Sequence, residues 1–124
     1  DYSALKQVAI DEPGGVYELR TYVTAPGKLF ALNARFRDHT RRLFEKHSMK
    51  NIGSWTPFDR PGSGNTLVYL LHHPSRKQAD ASWKAFGADP EWRGIREESE
   101  VEGKLLAGPP EGIYLRALGF SDLK

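Results

Sequence analysis

One short segment near the N-terminus limits the folds open to this chain more than any other. The run VYELRTY, from Val16 to Tyr22, alternates apolar and polar side chains and is rich in β-branched and aromatic residues, which is typical of a β-strand. Ala25-Pro26-Gly27-Lys28 follows at once, and proline suits the first turn of a helix, where its missing N–H has no partner to lose. The segment therefore predicts a strand over residues 15–23 that breaks sharply into a helix reaching about residue 48.

The rest of the chain completes a simple pattern of strands and helices. We predict strand two over residues 51–57, a hairpin loop over 59–65 and strand three over 66–73, which is nearly all apolar and is expected to be central and buried on both faces. Ser75 and Asp89 are predicted N-caps of two further helices, and strand four is predicted over residues 113–118. The order strand, helix, strand, strand, helix, strand predicts an α+β, ferredoxin-like βαββαβ domain with an antiparallel four-stranded sheet.

Composition excludes several classes of protein. The chain has 124 residues, 39% of them apolar, so one packed domain is expected. It has no cysteine, and no apolar run approaches the roughly 20 residues of a membrane span. The net charge of +2 argues against a nucleic-acid partner. Basic residues gather in the first predicted helix, and we favour a solvated helix face over a phosphate-binding patch for them: Arg35, Arg37, Arg41, Arg42 and Lys46.

Four segments together resemble a known family. After VYELRTY come FEKHSMKNIGSW (residues 44–55), NTLVYLL (65–71) and WKAFGADPEW (83–92). In this order and spacing they resemble the NIPSNAP family, from Val16 to the C-terminus. The resemblance implies a domain that pairs with a second copy into a dimeric α+β barrel. It implies no reaction, because the family has no agreed chemistry.

Alternation along the strands predicts which side chains share a face. We predict that Tyr17, Leu19 and Thr21 face the helices, and that the opposite face lines the lumen of the barrel. An apolar sheet face is unfavourable in water, so we expect a homodimer or a tandem copy of the domain to cover it. The predicted ligand-binding residues of this aromatic lumen are Glu18, Arg20, Tyr22, Trp55, Tyr69, His73 and Arg116.

Arg20 is the residue most expected to define the site. A buried guanidinium needs an acceptor, and its planar fork suits a carboxylate. We favour a structural pair, either with Glu18 two residues away on the same face or with a carboxylate of a partner subunit, over a carboxylate supplied by a ligand. Trp83 and Trp92, with Phe86 between them, are interpreted as core residues. The histidine spacing predicts no protein-bound metal, and no cofactor is predicted.

Two functional hypotheses remain open. The first is a NIPSNAP-type domain that binds a small apolar or carboxylate ligand, or acts as an interaction domain. The alternative is a cofactor-free enzyme, of monooxygenase or isomerase type, acting on a hydrophobic carboxylate or ketone. An unpaired Arg20 beside an open cavity would favour the enzyme, whereas a filled lumen with Arg20 paired to Glu18 would favour the binding domain.

The ends of the chain suggest a larger context. Asp1-Tyr2-Ser3-Ala4-Leu5-Lys6 resembles the C-terminal Gly119-Phe120-Ser121-Asp122-Leu123-Lys124. We therefore predict a family-like domain over residues 15–124, preceded by a segment, 1–14, that is a linker or the tail of an upstream segment, such as a preceding repeat. The chain lacks an initiator methionine, so N-terminal processing is expected, and a soluble, cytoplasmic location is favoured.

Overall fold

One antiparallel sheet forms the centre of the structure, a computed structural model that describes residues 14–123. Its strands are β1 (Val16–Val23), β2 (Lys50–Trp55), β3 (Thr66–His73) and β4 (Glu111–Leu115), in the order β2-β3-β1-β4. This is the ferredoxin-like arrangement that the sequence predicts. The predicted linker or upstream tail lies almost wholly outside the described residues.

Helices pack on one side of the sheet. The first helix has three consecutive parts: α1 (Leu29–Arg35), a π-helical turn (Phe36–Thr40) and α2 (Arg41–Lys46). The second pair is α3 (Arg76–Ala88) and α4 (Pro90–Ser99). Both predicted caps are confirmed, because the side chain of Ser75 accepts from the N–H of Gln78 and that of Asp89 accepts from the N–H of Glu91. Over residues 14–123, no helix is both long enough and apolar enough to cross a membrane.

The hydrophobic core lies between the sheet and these helices. The ring of Tyr69, on β3, lies 4.7 Å from that of Phe36 and 5.6 Å from that of Phe44, both on the first helix. The other core residues surround this aromatic contact: Leu32, Leu43, Met49, Leu67, Leu71, Phe86, Trp92 and Leu105.

The predicted assignment of the two sheet faces is wrong. Burial along β3 alternates, with Leu67, Tyr69, Leu71 and His73 buried and the residues between them only half-buried. The buried set faces the helices, so β3 is central but is not buried on both faces. Directly paired residues of antiparallel strands share a face, and Arg20 pairs with Tyr69. Glu18, Arg20 and Tyr22, which share that face, therefore lie beneath the helices rather than in a barrel lumen.

The opposite face of the sheet carries the side chains that alternate with the buried set, and because none of the helices within residues 14–123 packs on it we call it the helix-free face. Leu19 pairs with Leu70 and Ile113, and Trp55 pairs with Val68, so these side chains lie together. Ile113 is 56% exposed and Trp55 is 54% exposed. Trp55 lies over Gly53, where an added Cβ would meet the indole ring at 2.7 Å. Of the aromatic residues predicted for the lumen, Trp55 lies on this face, whereas Tyr22 and Tyr69 lie beneath the helices.

Candidate ligand-binding site

Arg20 is the centre of a polar network beneath the helices. Its Nε donates to the hydroxyl of Tyr69 at 3.1 Å, and its Nη2 donates to the hydroxyl of Tyr22 at 3.3 Å. Nη1 donates to the carboxylate of Glu18 at 3.3 Å, which confirms the predicted structural pair. The Tyr69 hydroxyl donates in turn to Tyr22 at 2.6 Å. The network fixes the plane of the guanidinium through three neighbours.

Glu18 is the buried anion of this network, with a side chain that is 3% exposed. Burial alone would raise its pKa, but hydrogen bonds from His73 and Trp83 and the charge of Arg20 hold that pKa below its usual value. The indole N–H of Trp83 donates to Oε1 at 2.7 Å, and Nε2 of His73 lies 2.8 Å from the same oxygen. Glu18 is therefore ionised at neutral pH and links β1, β3 and α3.

Aromatic rings surround the cation. The guanidinium carbon of Arg20 lies 4.2 Å from the centre of the Trp83 ring and 5.5 Å from that of Tyr22. Burial raises the pKa of Tyr69 well above its usual value, so this phenol stays protonated and acts as a donor. Burial, and then the charge of Glu18, also raise the pKa of Tyr114 on β4. The site holds its positive charge among neutral rings and one carboxylate.

Gly112 gives this network its space on the edge strand. It lies opposite Arg20 in the register of β1 and β4. An added Cβ would lie 3.3 Å from Arg20 Cδ and 3.3 Å from Glu18 Oε2, tighter than ordinary van der Waals contact. A larger side chain here would press directly on the ion pair.

A large cavity opens between the sheet and the helices, beside Arg20. Its volume is about 1050 Å³, slightly above the roughly 300–1,000 Å³ common for small-molecule sites. Side chains from β1, from the first helix, from α3 and α4 and from the following loop line it. They include Arg20, Tyr22, Leu32, Arg35, Phe36, Thr40, Trp83, Phe86, Trp92, Arg96, Glu97, Glu100 and Lys104.

The π-helical turn shapes one wall of this cavity. Phe36 and Thr40, its first and last residues, are both buried and both line the cavity. The hydroxyl of Thr40 donates to the carbonyl oxygen of Arg35 at 3.3 Å, five residues back. Single π turns within α-helices occur frequently at functional sites. The composition of this segment gave no signal for the turn.

The structure brings together five of the seven predicted site residues: Glu18, Arg20, Tyr22, Tyr69 and His73. Trp55 lies on the helix-free face, and Arg116 lines a smaller cavity of about 370 Å³ with Tyr17 and Leu70 of that same face. The ligand-binding roles of all seven stay predictions. Arg20 is paired with Glu18, as expected for a binding domain, but it also lies beside an open cavity, as expected for an enzyme. The arrangement therefore matches neither of the two functional hypotheses completely.

Sequence reasoning missed Arg35 and gave the tryptophans too small a role. Arg35 is 7% exposed, so the prediction that it belongs to a solvated helix face is wrong, whereas the four other basic residues of that group are exposed. Its position three residues after Leu32 and one before Phe36 places it on the buried stripe of the helix. That spacing was the available signal. Trp83 and Trp92 fill the core and also line the cavity.

The histidines occupy separate structural positions. Nε2 of His47 lies 2.7 Å from the Asp89 carboxylate, and Nε2 of His72 lies 2.7 Å from the carbonyl oxygen of Gly14. His73 is fully buried, and its Nδ1 contacts no hydrogen-bond partner among residues 14–123. Across the same part of the chain, no cluster of three or more potential ligands is placed to hold a metal ion.

The fold and the site define a class of protein. It is a ferredoxin-like α+β domain with a cationic, aromatic cavity between its sheet and its helices. The NIPSNAP family model matches residues 17–107, and the chain belongs to the NIPSNAP family. No curated protein matches the chain.

Solved structures of the same fold include NIPSNAP proteins and monooxygenases. A NIPSNAP family protein of unknown function from Agrobacterium tumefaciens is 21% identical, with a TM-score of 0.74 over 88% of this chain and 93% of that chain. An uncharacterised NIPSNAP domain protein from Burkholderia xenovorans is 20% identical, with a TM-score of 0.70 over 86% and 97%. A Streptomyces coelicolor monooxygenase in complex with nanaomycin D is 18% identical, with a TM-score of 0.55 over 85% and 88%. At these identities the likeness shows the fold alone.

Proposed function

We propose that this domain binds a small aromatic or hydrophobic organic acid in the cavity beside Arg20. The observation that carries the proposal is a fixed guanidinium on the wall of a cavity large enough for such a ligand. Apolar walls with a few convergent polar groups are usual in small-molecule sites. The solved monooxygenase of this fold that holds nanaomycin D supports the view that the fold can accommodate an organic ligand.

The hydrogen bonds of Arg20 leave part of its donor capacity for a ligand. A guanidinium has five N–H groups, and the contacts to Tyr69, Glu18 and Tyr22 use one each on Nε, Nη1 and Nη2. One N–H on each terminal nitrogen remains, and this pair suits a carboxylate. The Arg20 side chain is 17% exposed and lines the cavity.

Electrostatics favour an acid over a neutral ligand. Glu18 balances Arg20 within the wall, and the remaining charged side chains that line the cavity are three basic and two acidic: Arg35, Arg96 and Lys104 against Glu97 and Glu100. An anionic group would therefore enter a site of net positive charge. Trp83 and Phe86 offer flat apolar surfaces for the remainder of the ligand.

Equilibrium titration with naphthalene-2-carboxylate, followed by tryptophan fluorescence, tests the proposal. We expect saturable binding by the unaltered protein and at least tenfold weaker binding by Arg20→Lys, which keeps the charge but loses the planar fork. Arg37→Gln is the matched control, because Arg37 is 68% exposed and pairs with the neighbouring Asp38. Equal affinity in all three proteins, or no binding at all, would contradict the proposal.

We also propose that the helix-free face pairs with the same face of a second copy, in a homodimer or a tandem protein. Leu19, Leu70 and Ile113 form an apolar surface on the side of the sheet opposite the helices of residues 14–123. Residues of the C-terminal segment, Leu118, Phe120 and Leu123, line the smaller cavity at this face and are themselves more than half exposed. Burying apolar surface of this kind against a second copy is favourable.

A further inference from the structure

Arg35 is a second buried arginine on the wall of the Arg20 cavity. It is the last residue of α1, directly before the π-helical turn, and its side chain is 6% exposed. Its guanidinium carbon lies 5.0 Å from the centre of the Trp92 ring. The cavity thus has two cations from different elements, each against its own tryptophan, because Arg20 lies against Trp83 in the same manner.

The hydrogen bonds of Arg35 come from one side of its guanidinium. Nη1 donates to the hydroxyl of Ser99 and to the carboxylate of Glu100, both at 3.1 Å. Within residues 14–123, no acceptor contacts its Nε or Nη2. The two Nη1 hydrogen bonds are sufficient to connect α1 to the end of α4, so the other N–H groups of Arg35 are not needed for this connection. The three remaining N–H groups are a donor set for an anion.

Other charges reinforce this end of the cavity. Arg96 and Lys104 line it as well, and both are exposed, so they can approach an entering anion from the outer side. Glu100 partly offsets Arg35, and Glu97 is the other acidic residue on the wall. Arg35, Arg96 and Lys104 outnumber these two carboxylates, so this part of the wall has a net positive charge. It is built by the first helix, α4 and the loop after α4, whereas Glu18 lies on β1.

We infer that Arg35 forms a second anion subsite, so that the cavity takes a ligand with an acidic group at each end and an apolar or aromatic body between them. This inference rests on the proposed binding of an organic acid at Arg20 and narrows its chemical class to diacids. Trp83 and Trp92 contact the body of the ligand, while Arg20 and Arg35 each bind one acidic group.

Comparison of two probes that differ by one carboxylate tests the inference. We expect naphthalene-2,6-dicarboxylate to bind the unaltered protein at least tenfold more tightly than naphthalene-2-carboxylate. In the Glu100→Gln protein, which avoids a stranded carboxylate, adding Arg35→Met is expected to reduce this preference to about onefold. Binding of the monoacid is expected to change less than twofold. Arg37→Met, on the same helix but exposed, is the matched control and keeps the preference.

The outcomes separate the two proposals. Equal affinity of the unaltered protein for both probes, with monoacid binding still dependent on Arg20, overturns the second subsite and leaves the first. Failure of both probes to bind overturns both proposals. A diacid preference that survives Arg35→Met overturns the role of Arg35. The comparison of probes on the unaltered protein needs no variant to fold, and Arg35→Lys, which retains the charge, is expected to keep part of the preference.

Discussion

Trp83 contacts both members of the buried ion pair: its ring lies 4.2 Å from the guanidinium carbon of Arg20, and its indole N–H donates to Glu18 at 2.7 Å. The ring stabilises the cation through its π face, and the N–H stabilises the anion through a charge-assisted hydrogen bond. One side chain of α3 therefore fixes the relative position of two residues on β1. The stability of the fold and the geometry of the cavity wall depend on the same residue.

Two substitutions of Trp83 are expected to separate the contribution of its hydrogen bond to Glu18 from that of its aromatic ring. Trp83→Phe keeps an aromatic face but removes the hydrogen bond to Glu18, which should lower the free energy of unfolding by about 1.5–3 kcal/mol. Trp83→Ala should cost about 3–5 kcal/mol, because it also leaves a cavity. Chemical denaturation measures both values. The control is Trp55→Ala on the helix-free face, where 54% exposure predicts a smaller loss in the monomer. Equal losses for Trp83→Ala and Trp55→Ala would refute the assignment of the two faces.

Arg20 and Glu18 are expected to be coupled energetically. Arg20→Met leaves Glu18 without its cation, and Glu18→Gln leaves Arg20 without its anion, so each change alone should destabilise the protein. The double variant should lose less than the sum, with a coupling of about 0.5–3 kcal/mol. Strictly additive losses in denaturation experiments would show that the pair contributes nothing as a pair.

The stability contributed by Glu18 should depend on pH in a defined direction. Its pKa in the folded protein lies below the ordinary value of 4.5. Its contribution is therefore fully present above that ordinary value and is lost as the pH falls through the folded-state pKa. The difference in unfolding free energy between the unaltered protein and Glu18→Gln should be constant from neutral to mildly acidic pH. It should shrink in stronger acid, and a difference that stays constant there would contradict the lowered pKa.

Association through the helix-free face has a direct test. Ile113→Lys places a charge on that surface, on the edge strand β4, and should shift the protein toward monomer in sedimentation velocity experiments. Val101→Lys is the control, since Val101 is 81% exposed and follows α4, away from the strands. A protein that remains dimeric with Ile113→Lys pairs through another surface. A protein that is monomeric without any substitution contradicts the homodimer.

The sequence predicted the elements of the fold better than their orientation. The eight residues of β3 and the caps at Ser75 and Asp89 follow from local patterns, which depend on nearest neighbours in the chain. Alternation also predicted that Arg20 and Tyr69 share a face. It could not show which face the helices cover, because both faces carry apolar residues and the polar ones on β1 are satisfied by each other and by Trp83.

The second cation and the cavity depend on tertiary structure. Arg35 is buried because α4 supplies Ser99 and Glu100 as acceptors, and these lie more than sixty residues further along the chain. The volume of the cavity depends on how the first helix, α3 and α4 meet above the sheet. Local sequence patterns carry no information on how far apart these helices lie. The sequence could therefore predict residues of the candidate site but not the cavity beside them.

Heteronuclear NMR of the three tryptophan indole N–H groups tests the location of ligand binding most directly. Trp83 and Trp92 line the cavity, and Trp55 lies on the opposite face of the sheet. During titration with naphthalene-2-carboxylate, we predict saturable shifts of the Trp83 and Trp92 indole signals and of the Arg20 Nε–H signal, with the Trp55 signal unchanged. A shift of the Trp55 signal alone would place the ligand on the helix-free face and contradict the account.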